Sequence, residues 1–349
     1  MTTLLSRGDV ERLLTPHECI AAVEDAFRRL AEGTVPQPGI LGMHAGDGSF
    51  HVKAGFLTLD RPYFAAKLNA NFPQNGTRHG LPTIQGAVIL SDAANGVPLA
   101  IMDSMSITAL RTAAASAIAA KYLARRDCET ALICGCGAQA AAQVRALLDV
   151  RRPRLVWAYD QDGARAAAFA SSLGRELGIE IRAAARLEDA VAASRIVITC
   201  TTSRRFFITR SMVRPGTFVA AVGADHEEKQ EIEPALLAEA KLVTDVTEQA
   251  CRIGDLHHAI AAGVMTRESV HAELGEVVAG LKPGRVSDDE IIVFDSTGTG
   301  LQDVATAIAA YRRAVDENAG SAFLFSSTHQ EDSSCISGQP RVSHSASLP

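Results

Sequence analysis

The sequence lacks the features that mark several whole classes of protein. It has no basic cluster with interleaved aromatic residues, the formal charge is −6, and aromatic residues make up only 5%, which argues against a nucleic-acid partner. No stretch reaches the ~18 uninterrupted apolar residues of a membrane span. The N-terminus, MTTLLSRGDVERLLT, lacks the charged start and long apolar core of a signal peptide. These absences favour a cytoplasmic protein that binds neither nucleic acid nor membrane.

Cysteine and histidine show no pattern typical of a metal site. The seven cysteines are scattered, their number is odd, and no Cys-x-x-Cys occurs. Cys134 and Cys136 have no partner pair, and the neighbouring His257 and His258, like His51, lack a third ligand at usable spacing. We therefore expect reduced thiols, no bound metal and no metal-dependent hydrolysis.

The order of apolar runs predicts two domains in the 349 residues. Short runs from 48 to 102, separated by turns, indicate antiparallel strands. From residue 130, near-continuous apolar strands alternate with helical segments, which is typical of a parallel sheet covered on both faces. The prediction is an α/β protein, in which a Rossmann-type doubly wound parallel sheet follows an α+β substrate domain.

Helical patterns frame these two parts. We predict helices over 15–32, 106–126 and 301–315, and the third is expected to return to the first domain. The serine-rich C-terminal segment, assigned to 321–349, has no periodic apolar pattern and is predicted to be a disordered tail.

A nucleotide fingerprint lies between the strand TALIC and the helix after it, which is expected to start near Ala138. Gly135 permits a tight turn, Gly137 lets backbone approach a pyrophosphate, and the small Ala140 lets the helix pack closely. The pyrophosphate would lie at the helix N-terminus, where free N–H groups favour anions. A phosphate-free turn of a flavodoxin-like domain remains the alternative.

The second strand of this unit ends in Asp160. A carboxylate at this place accepts hydrogen bonds from both ribose hydroxyls of NAD and repels the 2′-phosphate of NADP. We therefore expect NAD(H) as the cofactor, although Arg165 nearby argues the other way.

Ligands of such folds lie beyond the carboxyl ends of the strands. Thr201 follows the fourth strand and would line the cofactor crevice. Asp225 follows the next strand, within VGADHEEKQE. On this evidence it is either a solvated charge or a carboxylate of the site.

Six segments together resemble the ornithine cyclodeaminase/mu-crystallin family over residues 10–320. They are AAKLNANFPQN, GLPTIQGAVILSD, ITALRTAAASAIAAKYLA, GCGAQ, VRPGTFVAAVGAD with KQEI, and VFDSTGTGLQD. The resemblance implies NAD(P)-dependent chemistry at an amino-acid α-carbon, with a substrate domain that forms a homodimer. We place the substrate and dimerisation domain at 1–112 with 298–320, and the NAD-binding domain at 113–297.

The resemblance also implies roles for single residues. Arg111 and Lys67 would bind the substrate carboxylate, Thr83 would lie beside the substrate and cofactor, and Asp225 would be the catalytic acid/base, assisted by Lys67. The positions that match cofactor contacts are Thr112, Gly135, Gly137, Ala138, Gln139, Asp160, Thr201, Val219, Ala220, Ala221, Val222, Lys229 and Ser296.

The strand FHVKAGF bears on the reaction. His51 and Lys53 share one strand face, because strand side chains alternate. Lys53 would bind the substrate, repelling a distal ammonium and attracting an electron-rich end. An arginine expected of ornithine-cyclising members is missing near Pro36 and Pro38.

We therefore predict an imine reductase or amino-acid dehydrogenase acting on a small amino or imino acid. Ornithine cyclodeaminase is the alternative. A non-catalytic NAD(P)-binding protein is disfavoured, because Asp225 and Arg111 are both present.

Overall fold

The fold is described for residues 1–325 of a computed structural model. The strands are β1 (Thr2–Leu5), β2 (Gly39–Ala45), β3 (Gly48–Thr58), β4 (Pro62–Asn71), β5 (Ile84–Asp92), β6 (Pro98–Asp103), β7 (Thr130–Cys134), β8 (Leu155–Tyr159), β9 (Glu180–Ala183), β10 (Ile196–Thr199), β11 (Arg204–Ile208), β12 (Phe218–Ala221), β13 (Gln230–Ile232), β14 (Lys241–Thr244), β15 (Ala272–Glu273), β16 (Ile292–Asp295) and β17 (Ser321–Phe323). The helices are α1 (Arg7–Leu13), α2 (Pro16–Ala31), α3 (Asn75–His79), α4 (Ser104–Leu123), α5 (Ala140–Val150), α6 (Gly163–Leu177), α7 (Leu187–Ala193), α8 (Pro234–Glu239), α9 (Thr247–Ile253), α10 (Asp255–Ala261), α11 (Leu274–Val278) and α12 (Gly300–Asp316).

The first sheet has seven strands in the order β17-β1-β6-β5-β4-β3-β2. From β2 to β6 each strand pairs antiparallel with its neighbour, as the sequence predicted, and β1 adds to β6 in parallel. The pairing of β3 with β4 sets Lys53 opposite Lys67. Both face the same side, which is the buried one.

The strand β17 corrects the predicted tail at its start. Ser321–Phe323 pairs antiparallel with β1, because β1 would otherwise leave an edge of unpaired backbone groups that a short extended segment can cover. All three residues of β17 are exposed, so no apolar pattern in the sequence indicated this strand. The rest of the predicted tail, residues 326–349, lies outside the described residues.

The second sheet has eight parallel strands in the order β15-β14-β16-β12-β10-β7-β8-β9. Every residue of β10, β12 and β16 is buried, as expected for strands covered by helices on both faces. The chain moves outward from β7 to β9 on one side and from β10 through β12 to β14 and β15 on the other, and β16 then returns to lie between β12 and β14. The crevice at this reversal is where doubly wound sheets bind ligands, so the predicted Rossmann-type fold is confirmed.

Helix α4 joins the two sheets rather than separating them. The predicted domain boundary at 112/113 falls inside this continuous helix, which is buried along most of its length. Alanines make up much of α4, and their small side chains let neighbouring elements pack closely on several sides. The helix therefore serves both halves of the molecule.

Helix α12 returns to the first sheet, as predicted, and approaches it without intervening side chains. A Cβ on Gly55 would lie 2.4 Å from the carbonyl oxygen of Gly300, and a Cβ on Gly300 would lie 2.2 Å from that of Ala54. These two glycines bring the first turn of α12 against β3. Over residues 1–325, no helix is both long and apolar enough to cross a membrane.

Candidate functional site

Two basic side chains from different elements meet on one carboxylate. Lys67 of β4 donates from Nζ to Oδ1 of Asp303 at 2.8 Å, and Nε of Arg111, from α4, lies 3.1 Å from the same oxygen. Arg111 also donates from Nη1 to Oε1 of Gln302 at 2.8 Å. All four side chains are buried. Two cations therefore share one carboxylate, which leaves positive charge for an incoming anion.

Burial and mutual repulsion change the pKa values of this cluster. Burial, and then the charge of Arg111, lower the pKa of Lys67 to about 7, although Asp303 opposes the shift. Burial alone would raise the pKa of Asp303, but Lys67 and Arg111 lower it. Asp303 is thus ionised at neutral pH, while Lys67 loses its proton near neutrality.

Lys53 supports the loop beside this cluster. Its Nζ donates to the carbonyl oxygens of Thr297 at 2.9 Å and Gly298 at 2.8 Å. Gly298 has a φ of 72°, and a Cβ there would lie 2.1 Å from Nη1 of Arg111. Lys53 therefore lies beside this cluster, and two of its three N–H groups are used by the backbone.

Asp225 lies just beyond β12, at the lip of the same site. Its Oδ1 is 2.5 Å from Nζ of Lys229, and about half of its side chain is exposed. Desolvation would raise its pKa, but Lys229 and then Lys53 outweigh it and lower the pKa to about 2. The neighbouring His226 stands edge-on to His51, with ring centroids 6.1 Å apart. Asp225 is therefore an ionised carboxylate facing the substrate sheet.

The glycine-rich turn after β7 has the geometry of a pyrophosphate loop. Gly135 has a φ of 90°, and a Cβ there would come within 2.8 Å of Cγ2 of Thr201. A Cβ on Gly137 would meet no atom within 4 Å, so the protein leaves space above the start of α5. Oδ2 of Asp160 accepts from the Cys136 N–H at 2.9 Å, which ties the end of β8 to this turn.

Orphaned polar atoms at this edge fit a dinucleotide. Oε1 of Gln139 and Oγ of Ser296 are buried and have no hydrogen-bond partner among the described residues; such atoms call for a partner. The Asp160 side chain stays slightly exposed, with Nη1 of Arg165 3.7 Å away. The glycine turn, the orphaned atoms and this carboxylate together suit the pyrophosphate and the adenosine ribose of NAD.

Some predicted cofactor positions need correction. Val219 and Ala220 are fully buried inside β12 and paired with strands on both sides, so a ligand cannot reach them. Ala221 is equally buried and paired but is the last residue of the strand, so the crevice begins where the backbone leaves the sheet, between Ala221 and Val222. Lys229 is bound to Asp225.

The remaining predicted positions lie as follows. Thr112 is buried in α4 beside Arg111, and Thr83 is exposed in the loop before β5. Ala138 lies before α5, which begins at Ala140 because residues 135–139 form the turn. The ring nitrogens of His257 and His258 contact backbone carbonyl oxygens.

Sequence reasoning missed Asp303 and Gln302. A signal was present: Asp303 is followed at helical spacing by the buried Ala307, Ala310 and Ala314, so it lies on the apolar face of α12. A carboxylate on a buried helix face needs a cationic partner. The partner itself, 236 residues away in the case of Lys67, could not be identified from the pattern.

The family profile described as ornithine cyclodeaminase/mu-crystallin family matches residues 1–318. An archaeal alanine dehydrogenase, solved as a dimer with bound NAD, is 39% identical, with a TM-score of 0.88 over 93% of this chain and 99% of that one. Delta(1)-pyrroline-2-carboxylate reductase of Thermococcus litoralis, solved with NADH and L-proline, is 35% identical, with a TM-score of 0.87 over 92% and 100%. Iminosuccinate reductase of Paracoccus denitrificans, solved with NAD+, is 33% identical, with a TM-score of 0.84 over 91% and 97%.

Proposed function

The chain belongs to the ornithine cyclodeaminase/mu-crystallin family, and from that premise we propose that it reduces a small imino acid, or oxidises the matching amino acid. It is an NAD(H)-dependent oxidoreductase acting at the α-carbon. One observation carries the substrate class: Lys67 and Arg111 share the single carboxylate of Asp303, and Arg111 lies against Gly298 in the loop that follows β16. That arrangement suits an α-carboxylate, which the guanidinium of Arg111 can bind in a planar, bidentate manner.

Each residue of the site acts on a different part of the substrate. Arg111 and Lys67 hold the α-carboxylate, and their burial excludes water from that end. NAD(H), when bound, accepts or supplies hydride at the α-carbon. Asp225 is ionised. It takes a proton from the α-ammonium during oxidation; during reduction its charge stabilises the protonated imine, and it passes a proton back to the amine that forms. Lys229 keeps the Asp225 carboxylate in place.

The charge of the site disfavours ornithine cyclodeamination. That reaction must accommodate a distal ammonium, and Lys53 is buried beside Arg111. Of the buried carboxylates near Lys53, Asp303 is already bound by Lys67 and Arg111, and Asp245 accepts from the Thr297 hydroxyl and the Gly298 N–H. An additional cation here would be repelled at low effective dielectric. Imine reduction and amino-acid oxidation do not require a substrate with a distal ammonium.

The test is a matrix of substrates followed by nicotinamide absorbance. Cyclic and acyclic imino acids are offered with NADH, the corresponding amino acids with NAD, and L-ornithine with catalytic NAD while proline and ammonia are assayed. We expect NADH consumption with at least one imino acid, and its loss in Arg111→Met. Rapid proline formation without NADH consumption on any imine would contradict the proposal.

We also propose a cytoplasmic homodimer. Leu41, Phe64, Leu68 and Ile89 are each at least 40% exposed and lie on the outer face of the first sheet, opposite Lys67. An exposed apolar sheet face of this kind marks an interface, and the alanine dehydrogenase relative is a dimer. Light scattering should give a dimer that Leu68→Asp dissociates. The six described cysteines are free thiols, which suits a reducing compartment.

A further inference from the structure

A buried carboxylate lies beneath the loop that carries Asp225. Glu231, in β13, is fully buried and receives four hydrogen bonds. Its Oε1 accepts from the backbone N–H of Thr201 at 2.7 Å and from the Thr201 hydroxyl at 2.6 Å. Its Oε2 accepts from the Gly223 N–H at 2.8 Å and from the Thr199 hydroxyl at 2.6 Å. Each oxygen thus binds one backbone N–H and one threonine hydroxyl.

These donors come from the carboxyl ends of β10 and β12, which border the cofactor crevice. The loop from Gly223 to Glu231 carries both Asp225 and Lys229, and Glu231 closes this loop onto its own start. The approach is close, because a Cβ on Gly223 would lie 2.4 Å from the Thr201 carbonyl oxygen and 2.5 Å from Oε1 of Glu231. The position of Asp225 is therefore coupled to that of Thr201 through one side chain.

The backbone of Glu231 is bound by a second carboxylate, that of Asp255. Oδ1 of Asp255, the first residue of α10, accepts the backbone N–H groups of Glu231 at 2.8 Å and Ile232 at 2.9 Å. Burial raises the pKa of Glu231, whereas the four hydrogen bonds act to lower it. The backbone N–H groups of Thr201 and Gly223, which the Glu231 carboxylate binds, both need an acceptor, because an N–H group can only donate.

We propose that Glu231 is a positioning residue of the reaction: as a carboxylate it sets the spacing between Thr201 on the cofactor side and Asp225 on the substrate side. The role of Asp225 in this statement rests on the proposed function. Glutamine cannot replace Glu231, because in either orientation its NH₂ group faces a backbone N–H that needs an acceptor. The carboxylate site of Arg111 and Lys67 is not touched by this change.

The experiment compares Glu231→Gln with Thr199→Val, which removes one hydroxyl donor and leaves both backbone donors bound. At saturating substrate, Glu231→Gln should lower kcat by ~30-fold or more with substrate KM within about threefold. Thr199→Val should keep both kcat and substrate KM within about threefold of the wild-type values. In the Asp225→Asn background, Glu231→Gln should cost little further, since residues that act as a unit are not additive. Unchanged kcat, or a full independent loss in the double variant, would overturn the proposal.

A second measurement does not depend on activity. Hydrogen exchange of the Thr201 and Gly223 amides should accelerate at least tenfold in Glu231→Gln and remain near wild type in Thr199→Val. If Glu231→Gln does not fold, Glu231→Asp, whose shorter carboxylate cannot span both strand ends, takes its place in both assays. If Glu231→Gln leaves the exchange of these two amides unchanged, the positioning role is refuted, even if the protein has no amino-acid activity. If the wild-type protein is inactive but the variant shows the expected faster exchange, only the proposed function is refuted.

Discussion

Replacing Asp303 by asparagine tests whether one buried carboxylate organises the substrate end of the site. The substitution keeps the shape of the side chain and removes its charge. In the wild type, Oδ1 faces Nζ of Lys67 and Nε of Arg111 at 2.8 and 3.1 Å. The variant leaves both cations buried without a carboxylate, because the amide oxygen of asparagine can take the place of Oδ1 but carries no net charge.

Breaking a buried ion pair by removing one partner costs ~3–5 kcal/mol. The protein can reduce this cost, because Lys67 already has a pKa of about 7 and, without Asp303, releases its proton at still lower pH. Between the new pKa and pH 7 the folded variant binds one proton fewer than the folded wild type. In that window the loss of unfolding free energy should shrink by ~1.4 kcal/mol for each pH unit. Above pH 7 the loss should be constant.

Thermal or denaturant unfolding at several pH values from 5.5 to 8.5 measures this loss. Asp316→Asn, an exposed change on the same helix, is the matched control and should stay within ~0.5 kcal/mol at every pH. We also expect Asp303→Asn to lower kcat/KM at least ~10-fold, because a neutral Lys67 and an unsupported Arg111 hold the carboxylate less well. A loss of stability no larger than that of the control, or one independent of pH, would refute the role of Asp303 as shared counter-ion.

Three further predictions concern other carboxylates. Asp225→Asn should retain the fold and NADH binding but lower kcat by ~10² or more, as for a lost general acid or base; near-normal turnover would make Asp225 a solvated loop residue. NADH should bind at least about tenfold more tightly than NADPH, and Asp160→Ala should narrow that gap; equal affinities measured by titration on the wild type would remove Asp160 from this role. Burial, and then the charge of Asp245, raise the pKa of Asp295 from 3.8 to about 7, although the hydrogen bond from the Leu256 N–H opposes the shift. Its stabilising contribution is therefore complete below pH 4 and is lost as the pH rises to 7. Asp295→Asn should flatten the dependence of unfolding free energy on pH over that range, and an unchanged slope would contradict the assignment.

The amino-acid pattern alone was enough for the architecture and the cofactor. Strand and helix periods are local, because each records which side of an element is buried, so β7 to β10, β12 and the long helices could be predicted within a few residues. Gly135 and Gly137 form a local turn, and their spacing predicts the pyrophosphate site. The placement of Asp225 beyond a strand end followed from the same topology rule.

The tertiary structure alone decided which charges meet. Asp303 and Lys67 are far apart in sequence and come together only because Gly55 and Gly300 let α12 press against β3. Glu231 read as part of a charged loop, yet it is fully buried, because two strand ends offer it four donors. Periodicity reports burial but not partners, and the chemistry of a buried carboxylate depends on its partners. The fold could therefore be predicted from local patterns in the sequence, whereas the charges that meet in the site could be identified only from the tertiary structure.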